Sequence, residues 1–226
     1  MTFSIQLGDA VELIKAIPTG TVDMVYTDPP WGIYTREYDT DGNDLLDRIT
    51  PELSRVLKVG GHFVLEWSKK KLDVLEHVDK NFIFKQMLAN VFPYSASKSA
   101  TGFSCFEPLY WFCNKEKKPP VRLGQDVAIT YHDIAYKVWM SHREDGEIHR
   151  KSVQNVSHWL ILFSRKGDLV LDPFCGSGTV GVACIKMERR FLGFEIDKIT
   201  YTYAKERVES TPTTRKLSEV YPRVVS

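Results

Sequence analysis

Two short stretches of the chain carry residue types that suit chemistry. The first is Thr27-Asp28-Pro29-Pro30-Trp31, which follows an apolar run at 22–26 typical of a buried strand. Because neither proline can donate to a sheet ladder and each fixes φ, the strand should end in a stiff corner. The Asp28 carboxylate and the Pro29 carbonyl could accept the two N–H groups of an exocyclic amine, and the Trp31 ring could stack on a nucleobase. An ordinary strand-exit loop has the same composition, and Thr27 itself is interpreted only as a strand residue.

An apolar run at 169–172 leads into the second stretch, Asp172-Pro173-Phe174-Cys175-Gly176-Ser177-Gly178-Thr179, and a helical pattern follows at 180–187. Gly176 and Gly178 permit a tight turn and a close approach of backbone to a ligand. In an open parallel sheet, ligands bind beyond the carboxyl ends of the strands, where this loop would lie. Glu195 ends the next predicted strand about 20 positions after Gly176, the spacing at which an acid binds ribose hydroxyls. This order predicts a nucleoside-type ligand; the alternative is a tight turn with an exposed Glu195.

Taken together, the two stretches resemble the S-adenosylmethionine-dependent methyltransferases that modify exocyclic amino groups of DNA bases. Residues 28–31 look like their catalytic motif, and residues 172–179 look like their cofactor loop, in an order similar to the circularly permuted β group. Residues 7–10 and 55–61 are also similar to family segments. Lys151 aligns with the lysine of a family Lys-Pro pair, whereas Ser152 departs from it. The resemblance covers most of the chain except 114–148.

The resemblance implies an α/β fold: a Rossmann-like, seven-stranded, mostly parallel sheet with helices on both faces, in circularly permuted methyltransferase topology. It implies S-adenosyl-L-methionine as cofactor, with Asp9 at its adenine and Asp172 near its methionine amino group. The implied catalytic residues are Asp28, Pro29, Pro30 and Trp31. The implied cofactor-binding residues are Asp9, Lys151, Asp172, Phe174, Gly176, Ser177, Gly178, Thr179 and Glu195.

The implied activity is methylation of adenine N6 in double-stranded DNA by base flipping and direct transfer. The choice of adenine rests on the family resemblance of a motif that begins with Asp28 rather than Ser. Alternatives are cytosine N4 in DNA, adenine in RNA, a protein glutamine, and a nucleic-acid-binding module without turnover. A nicotinamide-dependent oxidoreductase is a further alternative, because Gly176, Gly178 and Gly181 formally match the dinucleotide pattern; the late position of this loop argues against it.

Composition sets wider bounds. The 226 residues fit a single domain, 1–226, and a net charge of +1 requires any nucleic-acid surface to be a local patch. No apolar run is long enough to span a bilayer and no leader pattern precedes the first strand, so we expect a cytoplasmic protein without membrane contact. The four cysteines form no metal-binding pattern and are expected to be reduced, buried thiols, and Cys175 is not expected to be a nucleophile.

The remaining segments supply the DNA-facing candidates. Loops at 32–44 and 93–102 lack periodicity, and residues 114–150 interleave basic with aromatic residues, which suits either a target-recognition excursion or a plain surface excursion. The predicted nucleic-acid contacts are Tyr34, Arg36, Lys98, Arg122, Arg143 and Arg150. Because this excursion is short, a homodimer could supply further DNA-binding surface. The tail from about 211 is expected to be poorly ordered.

Overall fold

The computed structural model describes residues 2–31, 42–68, 70–91, 98–99, 102–103, 106–115, 134–136 and 151–212. The six α-helices in this part of the chain are α1 (Ala10–Leu13), α2 (Gly42–Val56), α3 (Val74–Val78), α4 (Val153–Phe163), α5 (Thr179–Lys186) and α6 (Lys198–Glu209), and a 3₁₀ helix at Ile14–Ala16 follows α1. The ten strands are β1 (Phe3–Leu7), β2 (Val22–Thr27), β3 (Leu57–Glu66), β4 (Ile83–Val91), β5 (Lys98–Ser99), β6 (Gly102–Phe103), β7 (Phe106–Cys113), β8 (Ile134–Tyr136), β9 (Leu169–Asp172) and β10 (Arg190–Glu195).

Eight of these strands form one sheet in the order β1-β10-β9-β2-β3-β7-β4-β8, and β5 pairs with β6 as a separate hairpin. Within the large sheet, β7 runs antiparallel to its neighbours β3 and β4, and the other pairs are parallel. The predicted α/β class with a mostly parallel sheet is confirmed. The sheet has one strand more than predicted, because β8 lies within the excursion at 114–150 and adds to the edge beside β4.

Helices cover both faces of the sheet, as predicted. Successive residues of a strand point to opposite faces, so Met24 and Tyr26 pack in one apolar cluster and Val25 in another. Helices α4, α5 and α6 contribute to the first cluster, and α1, α2 and α3 contribute to the second. Strands buried on both faces explain the continuous apolar runs of the sequence.

Two predictions from local sequence patterns were wrong: a helix over about 44–58 that Lys58-Val59-Gly60-Gly61 ends, and a helix from Lys69 to about residue 79. Gly60 and Gly61 do not end a helix: α2 ends at Val56 and β3 begins at once, with both glycines inside the strand. The pairing of β2 with β3 shifts register at this point, and a Cβ at Gly61 would lie 2.8 Å from the Lys58 carbonyl oxygen. The helix predicted from residue 69 to 79 is limited to the five residues of α3.

The spacing of Asp9 and Glu12 predicts a capping box at the start of α1, and the structure contains only one half of it. The Asp9 carboxylate accepts a hydrogen bond from the Val11 amide at 2.8 Å, which caps α1. The Glu12 carboxylate instead binds Lys15 Nζ at 2.8 Å on the surface. None of the helices in the described ranges is long and apolar enough to cross a membrane.

Candidate active site

The two motifs meet at the centre of the sheet. Strand β2 pairs with β9 in parallel, with Val25 opposite Leu171, so both strands end at the same edge. Just beyond this pairing the Thr27 hydroxyl donates to Asp172 Oδ1 at 2.7 Å, and both side chains are buried. From β9 the chain continues to β10 on one side of this pair, and from β2 it continues to β3 on the other side. The gap between β2 and β9 is therefore a topological switch point of the sheet. Thr27 is therefore more than a strand residue, and the earlier interpretation of it was wrong.

The Lys151 ammonium lies between two carboxylates, those of Asp28 and Glu66. Thr27, the last residue of β2, pairs with Leu65 of β3. The residues that follow them, Asp28 and Glu66, therefore lie side by side at this end of the sheet. Lys151 Nζ lies 2.7 Å from Asp28 Oδ2 and also binds Glu66 Oε2. Lys151 was predicted among the cofactor contacts; the structure places its ammonium between these two carboxylates. The other oxygen, Asp28 Oδ1, is buried and has no hydrogen-bond partner among the described residues.

Glu66 was not predicted as a site residue. It is 1% exposed, and its second oxygen, Oε1, accepts a hydrogen bond from the Tyr26 hydroxyl. Burial raises the pKa of Tyr26, so the phenol stays protonated and can donate. The sequence held a signal for Glu66: like Asp172 and Glu195, it is an acid at the end of an apolar strand.

The electrostatics of this group follow from two carboxylates that share one ammonium. Burial raises the pKa of Asp28 to about 7; the Lys151 ammonium lowers it and the Glu66 carboxylate raises it. Burial lowers the pKa of Lys151, but Asp28 and Glu66 more than offset this effect, so the net shift is upward. Lys151 is thus a permanent cation, and Asp28 is the carboxyl group that can exchange a proton near neutral pH.

The rest of the corner is held by aromatic packing. Pro29 is buried, Pro30 and Trp31 are half-buried, and Trp31 packs against the cluster that contains the fully buried Trp67. A Cβ at Gly42 would lie 2.7 Å from both the Pro30 carbonyl oxygen and the Trp67 ring, so only glycine lets α2 start this close. Lys151 Nζ lies 5.9 Å from the centre of the Trp31 ring. The structure thus fixes Trp31 beside Asp28, and its role as a stacking surface stays a prediction.

The glycine loop turns directly over the end of β10. The Cys175 amide donates to the Phe194 carbonyl at 2.9 Å, and the Gly178 amide donates to the Cys175 carbonyl at 2.8 Å. Gly178 has a φ of +75°, and its Cβ position would lie 3.2 Å from the Ala204 carbonyl oxygen, so glycine is required there by both conformation and space. Phe174 is half-buried in the same apolar cluster as Trp31, and its amide donates to Asp172 Oδ1 at 3.2 Å.

Two acids, Glu195 and Asp9, lie at the ends of the paired strands β10 and β1. The Glu195 carboxylate accepts from the Asp197 amide at 2.9 Å and from the Gly176 amide, and burial raises its pKa. Strand β1 pairs with β10 up to Leu7 and Glu195, and the Gly8 amide donates to the Glu195 carbonyl at 2.9 Å. This pairing brings Asp9 to the end of the sheet that carries Glu195. Their roles at ribose and adenine stay predictions.

Ser177 and Thr179, also predicted to contact the cofactor, are engaged within the protein. Arg207 of α6 donates to the Ser177 carbonyl at 2.8 Å and to the Thr179 hydroxyl at 3.0 Å. The two hydroxyls lie 3.2 Å apart and both residues are 6% exposed. These contacts join the loop to α6, so Arg207 is a supporting residue that the sequence reasoning missed.

Asp172 is a buried acid of the second motif that contacts the first motif through the Thr27 hydroxyl. Burial raises its pKa to about 7, and the hydrogen bonds from Thr27 and Phe174 lower it. A positively charged amino group beside it would stabilise its ionised form. These features suit a nucleoside-linked amino acid such as S-adenosyl-L-methionine. Asp172 suits its amino group, Glu195 suits its ribose hydroxyls, and the turn at 176–178 permits a close approach of the backbone.

Metal binding and a cysteine nucleophile find no support in the described ranges. No cluster of three potential metal-binding side chains occurs there. Cys113, Cys175 and Cys184 are buried and outside any disulfide, in line with the prediction of reduced, buried thiols. Burial raises the pKa of the Cys175 thiol well above its ordinary value. A raised pKa disfavours the thiolate, so Cys175 is unsuited to act as a nucleophile.

Most of the predicted DNA contacts lie outside the described residues: Tyr34, Arg36, Arg122, Arg143 and Arg150. The backbone of Lys98 is described as part of β5. Most of both predicted loops, most of the excursion and nearly all of the tail also lie outside. The predicted single domain and its excursion therefore stay predictions.

Comparison with known proteins places this geometry in a family. A family model of N6/N4 methyltransferases, described as DNA methylase, matches residues 22–206. The type II methyltransferase M.BamHI of Bacillus amyloliquefaciens is 24% identical over 93% of this chain, which spans 58% of that protein. The DNA adenine methyltransferase YhdJ of Escherichia coli K12 is 25% identical over 84% of this chain and 77% of YhdJ.

Two solved structures share the fold. The M1.HpyAVI–SAM complex has a TM-score of 0.75 at 23% identity and covers 92% of this chain and 99% of its own. The cytosine-N4-specific PvuII DNA methyltransferase has a TM-score of 0.76 at 16% identity and covers 99% of this chain and 93% of its own. With the family model spanning both motifs and the sheet between them, the chain belongs to the N6/N4 methyltransferase family of DNA methylases.

Proposed function

We propose that this protein transfers a methyl group from S-adenosyl-L-methionine to the N6 amino group of adenine in double-stranded DNA. One observation carries the proposal: Asp28 Oδ1 is a buried acceptor without a partner in the described part of the chain, and it belongs to the corner that Thr27 joins to Asp172. A buried acceptor without a hydrogen bond destabilises the folded protein. Its presence beside the predicted cofactor loop therefore favours a role in binding a hydrogen-bond donor from outside the protein.

The chemistry needs little from the protein except position and charge. The sulfonium methyl is already activated, so no covalent enzyme intermediate is required. The amine is the difficult partner, because its lone pair is delocalised into the base. Hydrogen bonds from its two N–H groups to Asp28 Oδ1 and the Pro29 carbonyl favour a pyramidal nitrogen with an exposed lone pair. When the N–C bond forms and the S–C bond breaks, the nitrogen carries an extra proton, which the ionised Asp28 carboxylate accepts.

The acceptor base must leave the duplex to reach this corner. Flipping costs a few kcal/mol, and stacking on an aromatic ring recovers part of that cost. Trp31 is proposed for the stack because it is half-buried directly beyond Asp28 and Pro29. Asp172 holds the methionine amino group, Glu195 the ribose hydroxyls and Asp9 the adenine of the cofactor.

We choose adenine over cytosine because the catalytic motif begins with Asp28 rather than Ser, which by family resemblance favours adenine N6. Relatives support both acceptors, since YhdJ is an adenine enzyme and the PvuII enzyme acts on cytosine N4. Incubation of unmethylated genomic DNA with the pure protein and labelled cofactor, followed by nucleoside mass spectrometry, separates the two. N6-methyladenine supports the proposal, whereas N4-methylcytosine alone contradicts the choice of base. The same assay with RNA tests the RNA alternative.

Asp28→Ala tests the mechanism. Because the carboxylate serves the acceptor, the variant should bind S-adenosylhomocysteine with an unchanged affinity in calorimetry but lose methyl transfer to DNA. Asp44→Ala is a matched control, since Asp44 is an exposed partner of Arg48 at 3.8 Å. Transfer by Asp28→Ala at the control rate would refute the assignment. A homodimer stays a prediction that light scattering of the pure protein tests.

A further inference from the structure

Three side chains at the catalytic corner have no task in the proposed reaction: Glu66, Lys151 and Tyr26. We propose that Glu66 and Lys151 are positioning residues, which hold the Asp28 carboxylate with Oδ2 bound and Oδ1 free for the substrate amine. The inference rests on the proposed function and deepens it, because it assigns a new role to side chains around the same carboxylate.

The contacts of Glu66 and Lys151 engage one of the two oxygens of the Asp28 carboxylate. Lys151 approaches Asp28 only at Oδ2, at 2.7 Å, and the same ammonium binds Glu66 Oε2. Glu66 is itself fixed, because it is 1% exposed and its other oxygen accepts from the Tyr26 hydroxyl. A chain of contacts thus runs from Tyr26 through Glu66 and Lys151 to one oxygen of Asp28. The orientation of Asp28 is determined by residues that do not touch the substrate amine.

A purely structural ion pair would explain these contacts less well. Structural pairs in buried surroundings are stabilised when all their polar atoms are bonded. Here three of the four oxygens of the two carboxylates have partners in the described ranges, and Asp28 Oδ1 has none. Lys151 also immediately precedes Ser152, whose hydroxyl caps α4, so its backbone is anchored to a regular element.

Charge gives the proposal a measurable signature. The titratable groups that face Asp28 are Lys151 before α4, Glu66 on β3, Tyr26 on β2, Glu107 on β7 and Asp172 on β9. Removal of the ammonium leaves Asp28 beside a second carboxylate, so its pKa should rise. Removal of the Glu66 charge leaves Asp28 as the one ion-pair partner of the ammonium among the described residues, so the pKa of Asp28 should fall.

The test uses Glu66→Gln, Lys151→Met and the double variant. The Asp28 carboxyl group is titrated by carbon-13 NMR, with its signal assigned through Asp28→Asn. Single-turnover methyl transfer to DNA is measured across the same pH range. We expect opposite shifts of about one pH unit or more in the two single variants. The double variant should return towards the wild-type value, because the two removed charges cancel. Lys151→Arg, which keeps the charge, should stay near wild type.

Lys58→Met is the matched control. Lys58 lies on the same strand as Glu66, at its other end, and pairs with Asp23 at 2.5 Å. Its loss should leave both the Asp28 titration and the pH profile unchanged. Calorimetry with S-adenosylhomocysteine should give dissociation constants within about twofold of wild type for every variant, because these side chains contact the acceptor side. Should Lys151→Met fail to fold, Glu66→Gln and Lys151→Arg still decide the result.

The two readouts separate this inference from the proposed function. Opposite NMR shifts in a protein that does not methylate DNA would uphold the coupling and refute the activity. Methylation with an Asp28 titration that is the same in all variants would uphold the activity and refute the positioning role. Equal losses of rate in both single variants, with no displacement of the pH profile, would also overturn the inference.

Discussion

Replacement of Thr27 by valine removes one hydroxyl from the contact that joins the two motifs. Valine keeps the shape and the strand preference of threonine, so the change is confined to one hydrogen bond. Asp172 Oδ1 accepts from Thr27 Oγ1 at 2.7 Å and from the Phe174 amide at 3.2 Å, and only the second bond survives. The perturbed quantity is therefore the pKa of Asp172, which burial raises to about 7 and which both donors lower.

The size of the effect follows from the energy of that bond. A hydrogen bond to a charged acceptor contributes about 1.5 kcal/mol, which corresponds to a rise of about one pKa unit when it is lost. If the cofactor's ammonium binds only the ionised carboxylate, the binding-competent fraction falls about eightfold at about pH 6.5 and about 1.3-fold at about pH 8.5. The defect of the variant should therefore be large in mild acid and nearly absent in mild base.

Calorimetric titration with S-adenosylhomocysteine at the two pH values measures this difference. Thr50→Val is a matched control, because Thr50 is also a fully buried threonine but its hydroxyl contacts Asn81, away from Asp172. The control should bind equally at both pH values. An equal weakening of Thr27→Val at both pH values would mean that the hydroxyl acts on shape and not on the charge of Asp172, and the reasoning would fail.

Two further predictions concern stability. Gly178→Ala should destabilise the fold by at least about 1 kcal/mol more than Gly167→Ala, measured by urea unfolding. Both glycines have a positive φ, but of the two only Gly178 would place a Cβ against Val208 and Ala204. Equal losses of stability in the two variants would contradict this contact. His62 has its pKa lowered to about 4 by burial, so its contribution to stability is present above pH 6.5 and is lost as the pH falls towards 4. Between neutral pH and about pH 4.5, the free energy of unfolding of the wild type should therefore fall by about 2–3 kcal/mol more than that of His62→Phe, measured by urea unfolding. An equal fall in both proteins would refute a neutral buried histidine.

The framework of the site was predictable from short patterns. The apolar runs that lead into Asp28, Asp172 and Glu195 are strands in the structure, and all three acids lie at carboxyl ends of parallel strands. These predictions succeeded because strand burial and proline or glycine breaks are local properties. The pairing of an early strand with a late one came from the family resemblance, since no local pattern specifies it.

The missed features depend on pairing between distant parts of the chain. Glu66 becomes a neighbour of Asp28 only through the register of β2 and β3, and Lys151 reaches both from the start of α4. Arg207 likewise meets Ser177 across the packing of α6 on the glycine loop. Gly60 and Gly61 were misjudged because glycine after a helical pattern usually ends a helix, whereas here it allows an irregular strand pairing.

The central pairing of β2 with β9 also affects how the protein folds during synthesis. Thr27 and Asp172 are 145 residues apart, so at ribosomal speed about 7–30 s separate the emergence of the two strands. For that interval one apolar edge of β2 has no partner and is a template for intermolecular pairing. Chaperone protection in cells, and slow translation as an aggregation risk, are therefore expected to centre on the Val22–Thr27 strand.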